Sequence, residues 1–158
     1  MAEEKTNVMR VLDQKKIRYT PHTYPYSGGA VDGPNVAALI GVEPERAFKT
    51  LVTRGASKQN YVFVVPVMKS LNLKAAAKAV GEKSIEMIRQ AQLLPLTGYV
   101  HGGCSPVGMK KAFPTVLNES VKELDTITVS AGKIGAQVEL APEALRQLVD
   151  GVFAPVTK

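Results

Sequence analysis

The sequence has few of the residues that several classes of site require. Its 158 residues include one cysteine, two histidines and no tryptophan. A single cysteine excludes an internal disulfide and is typical of a protein in a reducing cytoplasm. Cys104, His22 and His101 are too few for a structural zinc site. We expect no metal and no cofactor. Aromatic residues make up only 6%, which argues against a surface that stacks many bases of a long single strand.

Long apolar stretches are also missing. The longest one, residues 61–68, is interrupted by Pro66 and is far too short to cross a bilayer. The first six residues are polar and acidic on balance, unlike a signal or transit peptide. We therefore expect a cytoplasmic protein without membrane contact. The length and the 45% hydrophobic content predict a single domain over residues 1–158.

The charge balance is moderately positive. The chain has 20 basic and 14 acidic residues, which give a net charge of +6. This excess suits a polyanionic partner such as nucleic acid, but lysine-rich surfaces are often only solvated. Charge alone leaves both alternatives open.

Capping residues and apolar spacing predict several helices. Thr6 or Asn7 precedes a first helix, and Asn72 precedes another that Gly81 ends. Further helical segments are predicted at residues 35–40, around Pro44, after Met87 and from Pro142. Residues 25–34 are rich in glycine and proline and predict a loop.

Alternating or continuous apolar residues predict strands between these helices. The predicted strands are residues 17–24, 47–52, 61–67, 85–87, 115–117, 127–131 and 137–140. Since helices and strands do not alternate strictly, a doubly wound fold is not expected. We predict a mixed α/β (α+β) domain in which a curled mixed sheet or partial barrel is surrounded by helices.

Residues 97–108 form the densest turn-forming segment, with four glycines. Tyr99 and Val100 are predicted to end a strand that enters the turn at Gly102 and Gly103. Adjacent glycines let a backbone approach a ligand closely, and Pro106 stiffens the turn. A rigid loop with outward N–H groups suits an oxyanion, a carbonyl or a phosphate. The alternative is a tight turn with a purely structural role.

The sequence gives weaker support to three other kinds of chemistry at this loop. It is not a Walker A motif, because Met109 follows Gly108 where a Lys-Ser/Thr pair is required. Cys104 could act as a nucleophile with His101 as its base, but a lone cysteine is more often a small buried hydrophobic residue. Ser105 and Lys49 could form a Ser-Lys dyad.

Lys49 is unusual because it lies in an apolar strand, residues 47–52. By alternation it shares a face with Leu51, while Phe48 and Thr50 point to the other face. If Leu51 faces the core, the Lys49 ammonium points into the interior or into a cavity, where it needs an anion or acceptors. The alternative is an edge lysine whose ammonium reaches water.

These segments together resemble a known family. The sequences Phe48-Lys49-Thr50-Leu51-Val52, Thr97-Gly98-Tyr99 and Gly102-Gly103-x-Ser105-Pro106-x-Gly108 are similar to those of the YbaK/EbsC family. This family comprises freestanding aminoacyl-tRNA deacylases related to the editing domain of bacterial prolyl-tRNA synthetases. The resemblance covers nearly the whole chain, and the loop is most similar to the branch that acts on Cys-tRNA(Pro).

The resemblance implies a trans-editing enzyme for cysteine mischarged onto proline tRNA, with prolyl-tRNA synthetase as a further expected partner. It implies a substrate-assisted mechanism in which the cysteine thiol attacks its own ester carbonyl and releases the tRNA. Lys49 would bind the ester end, and N–H groups around Gly102 and Gly103 would contact the oxyanion. The implied substrate-binding residues are Tyr24, Thr50, Ser105, Pro106 and Ser130.

Other functions stay open at this point. The enzyme could act on Ala-tRNA(Pro) or on a broader set of aminoacyl-tRNAs, and Gln137 stands where members of the family carry an acidic residue. The chain could instead be a non-catalytic module that binds tRNA or a synthetase through its basic surface. A Ser-Lys hydrolase acting on small amides or esters is a third alternative.

Overall fold

The computed structural model describes residues 5–26 and 31–158. Within these ranges the helices are α1 (Asn7–Gln14), α2 (Gly33–Ile40), α3 (Leu73–Val80), α4 (Gln90–Thr97) and α5 (Pro142–Leu148). The strands are β1 (Tyr19–Thr23), β2 (Phe48–Gly55), β3 (Asn60–Pro66), β4 (Ile85–Met87), β5 (Thr115–Asn118), β6 (Ile127–Ser130), β7 (Ala136–Leu140) and β8 (Val152–Ala154). Short 3-10 helices span Pro44–Arg46 and Glu119–Glu123.

The strands form two sheets. An antiparallel three-stranded sheet has the order β1-β7-β6, and a mixed five-stranded sheet has the order β4-β2-β3-β5-β8. A parallel bridge between Ala47 and Thr128 joins the two sheets at one point. Neither sheet closes into a barrel in the part of the chain that the structure describes. The prediction of a mixed α+β fold without doubly wound topology is confirmed.

Apolar side chains cover both faces of the five-stranded sheet. On one face Phe48, Val52 and Val64 pack in a core that includes α1 and the inner face of the three-stranded sheet. On the other face Phe63 and Val65 pack against α3 and the C-terminal segment. The five-stranded sheet is therefore the central layer, and the opposite orientations of neighbouring residues in β2 follow from the strand repeat.

Short-range capping interactions fix the helix ends. The Thr6 hydroxyl accepts the Met9 N–H at 3.2 Å, and the Asn72 side chain accepts the N–H groups of the first turn of α3. Both capping predictions are confirmed. Helix α2 begins two residues earlier than predicted, because the Asp32 carboxylate caps it by accepting the Asn35 N–H at 3.0 Å. The predicted loop at 25–34 therefore ends before Gly33, and its residues 27–30 lie outside the described residues.

The predicted strand at Tyr99 and Val100 is wrong. Helix α4 continues to Thr97, and Gly98 ends it in the left-handed conformation with φ of 87°. Tyr99 follows outside any helix or strand and donates its N–H to the Thr97 hydroxyl at 3.1 Å. Strand β8, which pairs in parallel with β5, was not predicted. None of the helices in residues 5–26 and 31–158 is both long and apolar enough to cross a membrane.

Candidate functional site

Among the described residues, no strand pairs with part of the outer edge of β2. Ala47 forms the bridge to Thr128, and β4 pairs with β2 only at residues 53–55, so the edge between them is open. The Gly55 N–H donates to the Gln59 carbonyl, which shows that odd-numbered residues of β2 bond to β3. The N–H and C=O of Thr50 therefore face the open edge, where no described strand pairs with them.

A cavity of about 280 Å³ lies against this open edge. Its wall includes Lys49 and Thr50 from β2, Gly102 and Cys104 from the loop after α4, and Ser130 from β6. The rest of the described wall is mostly apolar, with the start of α2 on one side, and also contains the polar groups of His101 and Gln137. The fold thus brings three segments that are far apart in sequence to one cavity.

Lys49 is half-buried and lies on this cavity wall. Desolvation by burial lowers the pKa of its ammonium. No carboxylate in the described part of the chain lies within ion-pair distance of it. Asp32 also lines the cavity, but its two oxygens accept hydrogen bonds from the Asn35 N–H and side-chain amide. The ammonium is therefore available to a ligand that carries negative charge or carbonyl oxygens.

Thr50 supplies a second polar group without a partner. Its Oγ1 is buried and makes no hydrogen bond to any described residue. Buried hydroxyls are normally paired, and an unpaired one costs free energy that a bound polar group can recover. Lys49 and Thr50 point to opposite faces of β2 but both line the cavity at the strand edge. The strand therefore offers a cation, a hydroxyl and main-chain groups to this cavity.

The two glycines of the loop have different environments. Gly102 lines the cavity and has φ of 87°, a conformation that disfavours side chains, and its N–H has no partner among the described residues. The Gly103 N–H donates to the Val100 carbonyl at 3.0 Å. A Cβ on Gly103 would lie 3.0 Å from backbone atoms of Lys133 and Ile134. Gly102 therefore lines the same cavity as Lys49, whereas Gly103 allows the loop to pack against the β6–β7 turn.

Three other predicted substrate-binding residues do not line the described wall. Ser105 is fully buried, and its hydroxyl accepts the Val107 N–H at 3.2 Å. Pro106 lines a separate depression next to the end of α5. Tyr24 is buried and donates its N–H to the Gly135 carbonyl. Because Ser105 does not share the cavity with Lys49, the structure does not support a Ser-Lys dyad.

Cys104 lines the cavity but is not activated as a nucleophile. Its side chain is almost buried, and burial raises the pKa of its thiol to about 12. No hydrogen bond joins it to His101 within the described residues. The thiol is therefore protonated at neutral pH and lacks the nucleophilicity of a thiolate. This favours the small buried cysteine over the catalytic one.

A polar surface continues from the cavity across the three-stranded sheet. Gln137 lines the cavity and lies opposite Ser130 on one side and His22 on the other. Beyond it, His22 Nε2 lies 2.8 Å from Glu139 Oε1. A hydrogen bond from the Thr126 hydroxyl to Glu139 is the main reason that the pKa of this carboxyl lies below its usual range.

Sequence reasoning missed the apolar part of the wall. Val31 and Val36 at the start of α2, Val67 after β3 and Leu93 in α4 come from three segments and line the cavity. Isolated valines and leucines are the commonest core residues, so no pattern distinguishes those that line a cavity. The only sequence signal for this part of the wall was Asp32, which as a helix cap marks the start of α2.

Comparisons with known proteins give the family. Residues 31–148 match the model of the aminoacyl-tRNA editing domain. The chain is 46% identical over 155 residues to EbsC of Enterococcus faecalis, provisionally named a Cys-tRNA(Pro)/Cys-tRNA(Cys) deacylase, and the match covers 98% of this chain and 94% of EbsC.

Two solved structures share the fold. The hypothetical protein APE2540 superposes with a TM-score of 0.86 at 22% identity, covering 97% of this chain and all of the other (100%). A protein provisionally described as a trans-editing enzyme for prolyl-tRNA synthetase superposes with a TM-score of 0.82 at 22% identity, covering 98% and 99% of the two chains. The resemblance seen in the Lys49 strand and the glycine loop is confirmed: the chain belongs to the aminoacyl-tRNA editing domain family.

Proposed function

We propose that this protein is a trans-editing deacylase that removes cysteine from mischarged proline tRNA by cleaving the 3′ aminoacyl ester. The observation that carries the proposal is a cavity lined by both Lys49, whose ammonium is partly desolvated, and Gly102, whose N–H has no partner among the described residues. Membership of the editing family and the name of the EbsC relative support the same activity.

A hydrolytic check of this kind is needed because the synthetase cannot exclude cysteine by size. Cysteine and proline have similar volumes, and a pocket gains only about 1–3 kcal/mol from a difference of one methylene group. The cavity of about 280 Å³ is small and largely apolar. These properties suit a small side chain, while the polar groups of β2 suit the ester end.

The substrate supplies its own nucleophile in the proposed reaction. A free thiol has a pKa of about 8.5, so a few per cent is thiolate at neutral pH. The thiolate sulfur attacks the ester carbonyl, a C–S bond forms, and the C–O bond to the tRNA breaks as the 3′ oxygen takes up a proton. Cysteine leaves as a cyclic thioester that water opens. The protonated Cys104 is not required for any of these steps.

The protein stabilises the oxyanion that forms on the carbonyl oxygen. Lys49 and Gly102 line the same cavity, and each carries a positively polarised group, an ammonium and an N–H. Because burial desolvates the ammonium, its interaction with a developing negative charge is stronger than in water. The Thr50 hydroxyl and the edge of β2 hold the aminoacyl group.

The test is deacylation across a panel of tRNAs: Cys-tRNA(Pro), Ala-tRNA(Pro), Ser-tRNA(Pro), Pro-tRNA(Pro) and Cys-tRNA(Cys). We expect Cys-tRNA(Pro) to be cleaved and Pro-tRNA(Pro) to be spared. S-methylcysteinyl-tRNA(Pro) is the matched control, because it fills the same space without an ionisable thiol. Equal cleavage of the methylated substrate would rule out attack by the substrate thiol.

Two further results would redirect the proposal. Salt-sensitive retention of tRNA without cleavage of any ester would indicate a non-catalytic binding module. Cleavage of Ala-tRNA(Pro) in preference to Cys-tRNA(Pro) would place the enzyme with alanine-specific deacylases. Association with prolyl-tRNA synthetase is part of the proposal, and cosedimentation of the two proteins with and without tRNA tests it.

A further inference from the structure

A second concavity lies next to α4, on a different part of the helix surface from the cavity. It is a groove of about 430 Å³ between α4 and the end of the β2–β3 hairpin. Arg54 and Lys58 on the hairpin provide its charged rim. Ile88, Ala91, Pro95 and Leu96 provide an apolar floor.

Neither cation of the groove is neutralised within the described part of the chain, where no carboxylate lies within ion-pair distance of Arg54 or Lys58. Glu86 lies opposite Arg54 in the pairing of β2 with β4, so it is on the same face of the sheet, but the two do not form an ion pair. Arg54 is half-buried, so part of its stem packs in the groove, while Lys58 is exposed. The rim therefore presents two positive charges next to an apolar surface.

The hairpin holds these cations in fixed positions. Lys58 has φ of 76°, which is costly for a residue other than glycine, and its N–H donates to the Gly55 carbonyl at 2.9 Å. The Asn60 side chain donates to the Thr53 carbonyl at 3.1 Å and ties the two strands together. A strained but hydrogen-bonded turn is a stable platform for a charge that contacts a ligand.

Helix α4 connects the groove to the cavity. Leu93 lines the cavity, whereas Gln92 and Leu96 on the same helix line the groove. Leu93 and Leu96 are three residues apart and so lie next to each other on the helix surface. The cavity and the groove are therefore within one helix diameter, about 10–12 Å, of each other. A single-stranded nucleic acid that ends in the cavity needs only a few nucleotides to reach the groove.

We propose that the groove binds the unpaired nucleotides that directly precede the terminal adenosine of the tRNA. Arg54 and Lys58 contact their phosphates, and the nucleosides pack on the floor formed by Ile88, Pro95 and Leu96. Phosphodiesters with attached bases are the ligands that match paired cations beside an apolar surface. This inference rests on the proposed deacylase function, because that function places the terminal adenosine at the cavity.

The test compares the double variant Arg54→Gln/Lys58→Gln with Lys74→Gln/Lys78→Gln. The control removes the same two charges from α3, which packs on the other face of the five-stranded sheet. We expect the groove variant to lower kcat/KM for Cys-tRNA(Pro) about tenfold, with no change for 3′-cysteinyl-adenosine, which lacks the preceding nucleotides. The control should leave both substrates unchanged.

Binding of unacylated RNA tests the groove independently of catalysis. Fluorescence anisotropy with a short single-stranded RNA ending in CCA should show weaker binding by the groove variant. The slope of log K against log salt should become shallower by about 0.7 for each phosphate that the variant no longer neutralises. This measurement remains valid if the wild-type protein cleaves no aminoacyl-tRNA, so failure of the groove and failure of the proposed function are distinguishable.

Either of two results would overturn the groove assignment. Equal losses in the groove and α3 variants would show a non-specific charge effect. An equal loss on Cys-tRNA(Pro) and on 3′-cysteinyl-adenosine would show that the groove residues act on the cavity rather than on nucleotides outside it. Circular dichroism and thermal melting of all variants show that each comparison is made between folded proteins.

Discussion

Replacing Lys49 with methionine should separate catalysis from stability. Methionine keeps most of the length of the side chain and removes the charge. The ammonium is half-buried on the cavity wall without a carboxylate partner among the described residues, so its removal breaks no ion pair seen there. We expect the Lys49→Met variant to fold normally and to lose most of its deacylase activity.

The size of the loss follows from the role assigned to the ammonium. Removing one group that stabilises an oxyanion typically lowers the rate by about 10²–10³, or about 2.7–4 kcal/mol of transition-state stabilisation. Stability should change in the opposite direction. Burial lowers the pKa of Lys49, so the folded state binds this proton more weakly than the unfolded chain does. The free energy of unfolding should therefore stay the same or rise when the charge is removed.

The pH dependence of stability shows whether the Lys49 charge stabilises or destabilises the folded protein. The cost of the buried charge is fully present below the lowered pKa of Lys49 and disappears as pH rises towards the ordinary value of 10.5. The wild-type protein should therefore gain stability relative to Lys49→Met as pH increases through that range. Denaturant unfolding at several pH values measures this difference.

Single-turnover deacylation of Cys-tRNA(Pro), corrected for spontaneous hydrolysis, measures the catalytic part. The wild-type rate should rise as the substrate thiol ionises near pH 8.5 and fall where Lys49 loses its proton. The Lys49→Arg variant, which stays charged, should lack the alkaline fall, and Lys74→Met is the control for an exposed lysine. A Lys49→Met rate within about threefold of wild type would refute the assignment.

Three further substitutions test the surroundings of Lys49. Cys104→Ala should keep kcat/KM within about threefold, and a large rate loss would contradict a substrate-derived nucleophile. Because burial raises the pKa of the wild-type thiol to about 12, this thiol should also be alkylated much more slowly than free cysteine. Gly103→Ala should lower the free energy of unfolding, measured by denaturant titration, by about 1–3 kcal/mol, because the new Cβ meets the backbone of Lys133 and Ile134. Unchanged stability would contradict that close approach. Thr50→Val should leave the free energy of unfolding unchanged or higher, because the buried hydroxyl has no partner among the described residues. It should raise KM about tenfold, and an unchanged KM would show that the hydroxyl does not contact the substrate.

Sequence reasoning predicted elements whose signals are local. Thr6 and Asn72 cap their helices as expected, because a cap depends on a few neighbouring residues. Pairing between distant strands carries no such signal, so the parallel contact of Val116 with Val152 was not predicted. Tyr99 was assigned to a strand from its residue type alone, but the left-handed Gly98 and the loop contacts determine its conformation.

The candidate site, like the fold, was predicted only in part from the sequence. An isolated lysine in an apolar strand and a glycine-rich loop are unusual patterns, and the structure brings Lys49 and Gly102 to one cavity. The sequence could not distinguish Gly102 from Gly103, because both glycines are compatible with a turn. Only the folded structure shows that the Gly103 N–H is used within the loop.

The open stretch of β2 between its contacts with β6 and β4 has a consequence for evolution and engineering. Exposed strand edges usually invite pairing with other chains. Here the edge borders a cavity of about 280 Å³, which has room for a small ligand. The hydrogen-bonding groups at Thr50 belong to the main chain, so substitutions that retune the cavity for another amino acid leave this anchoring capacity in place.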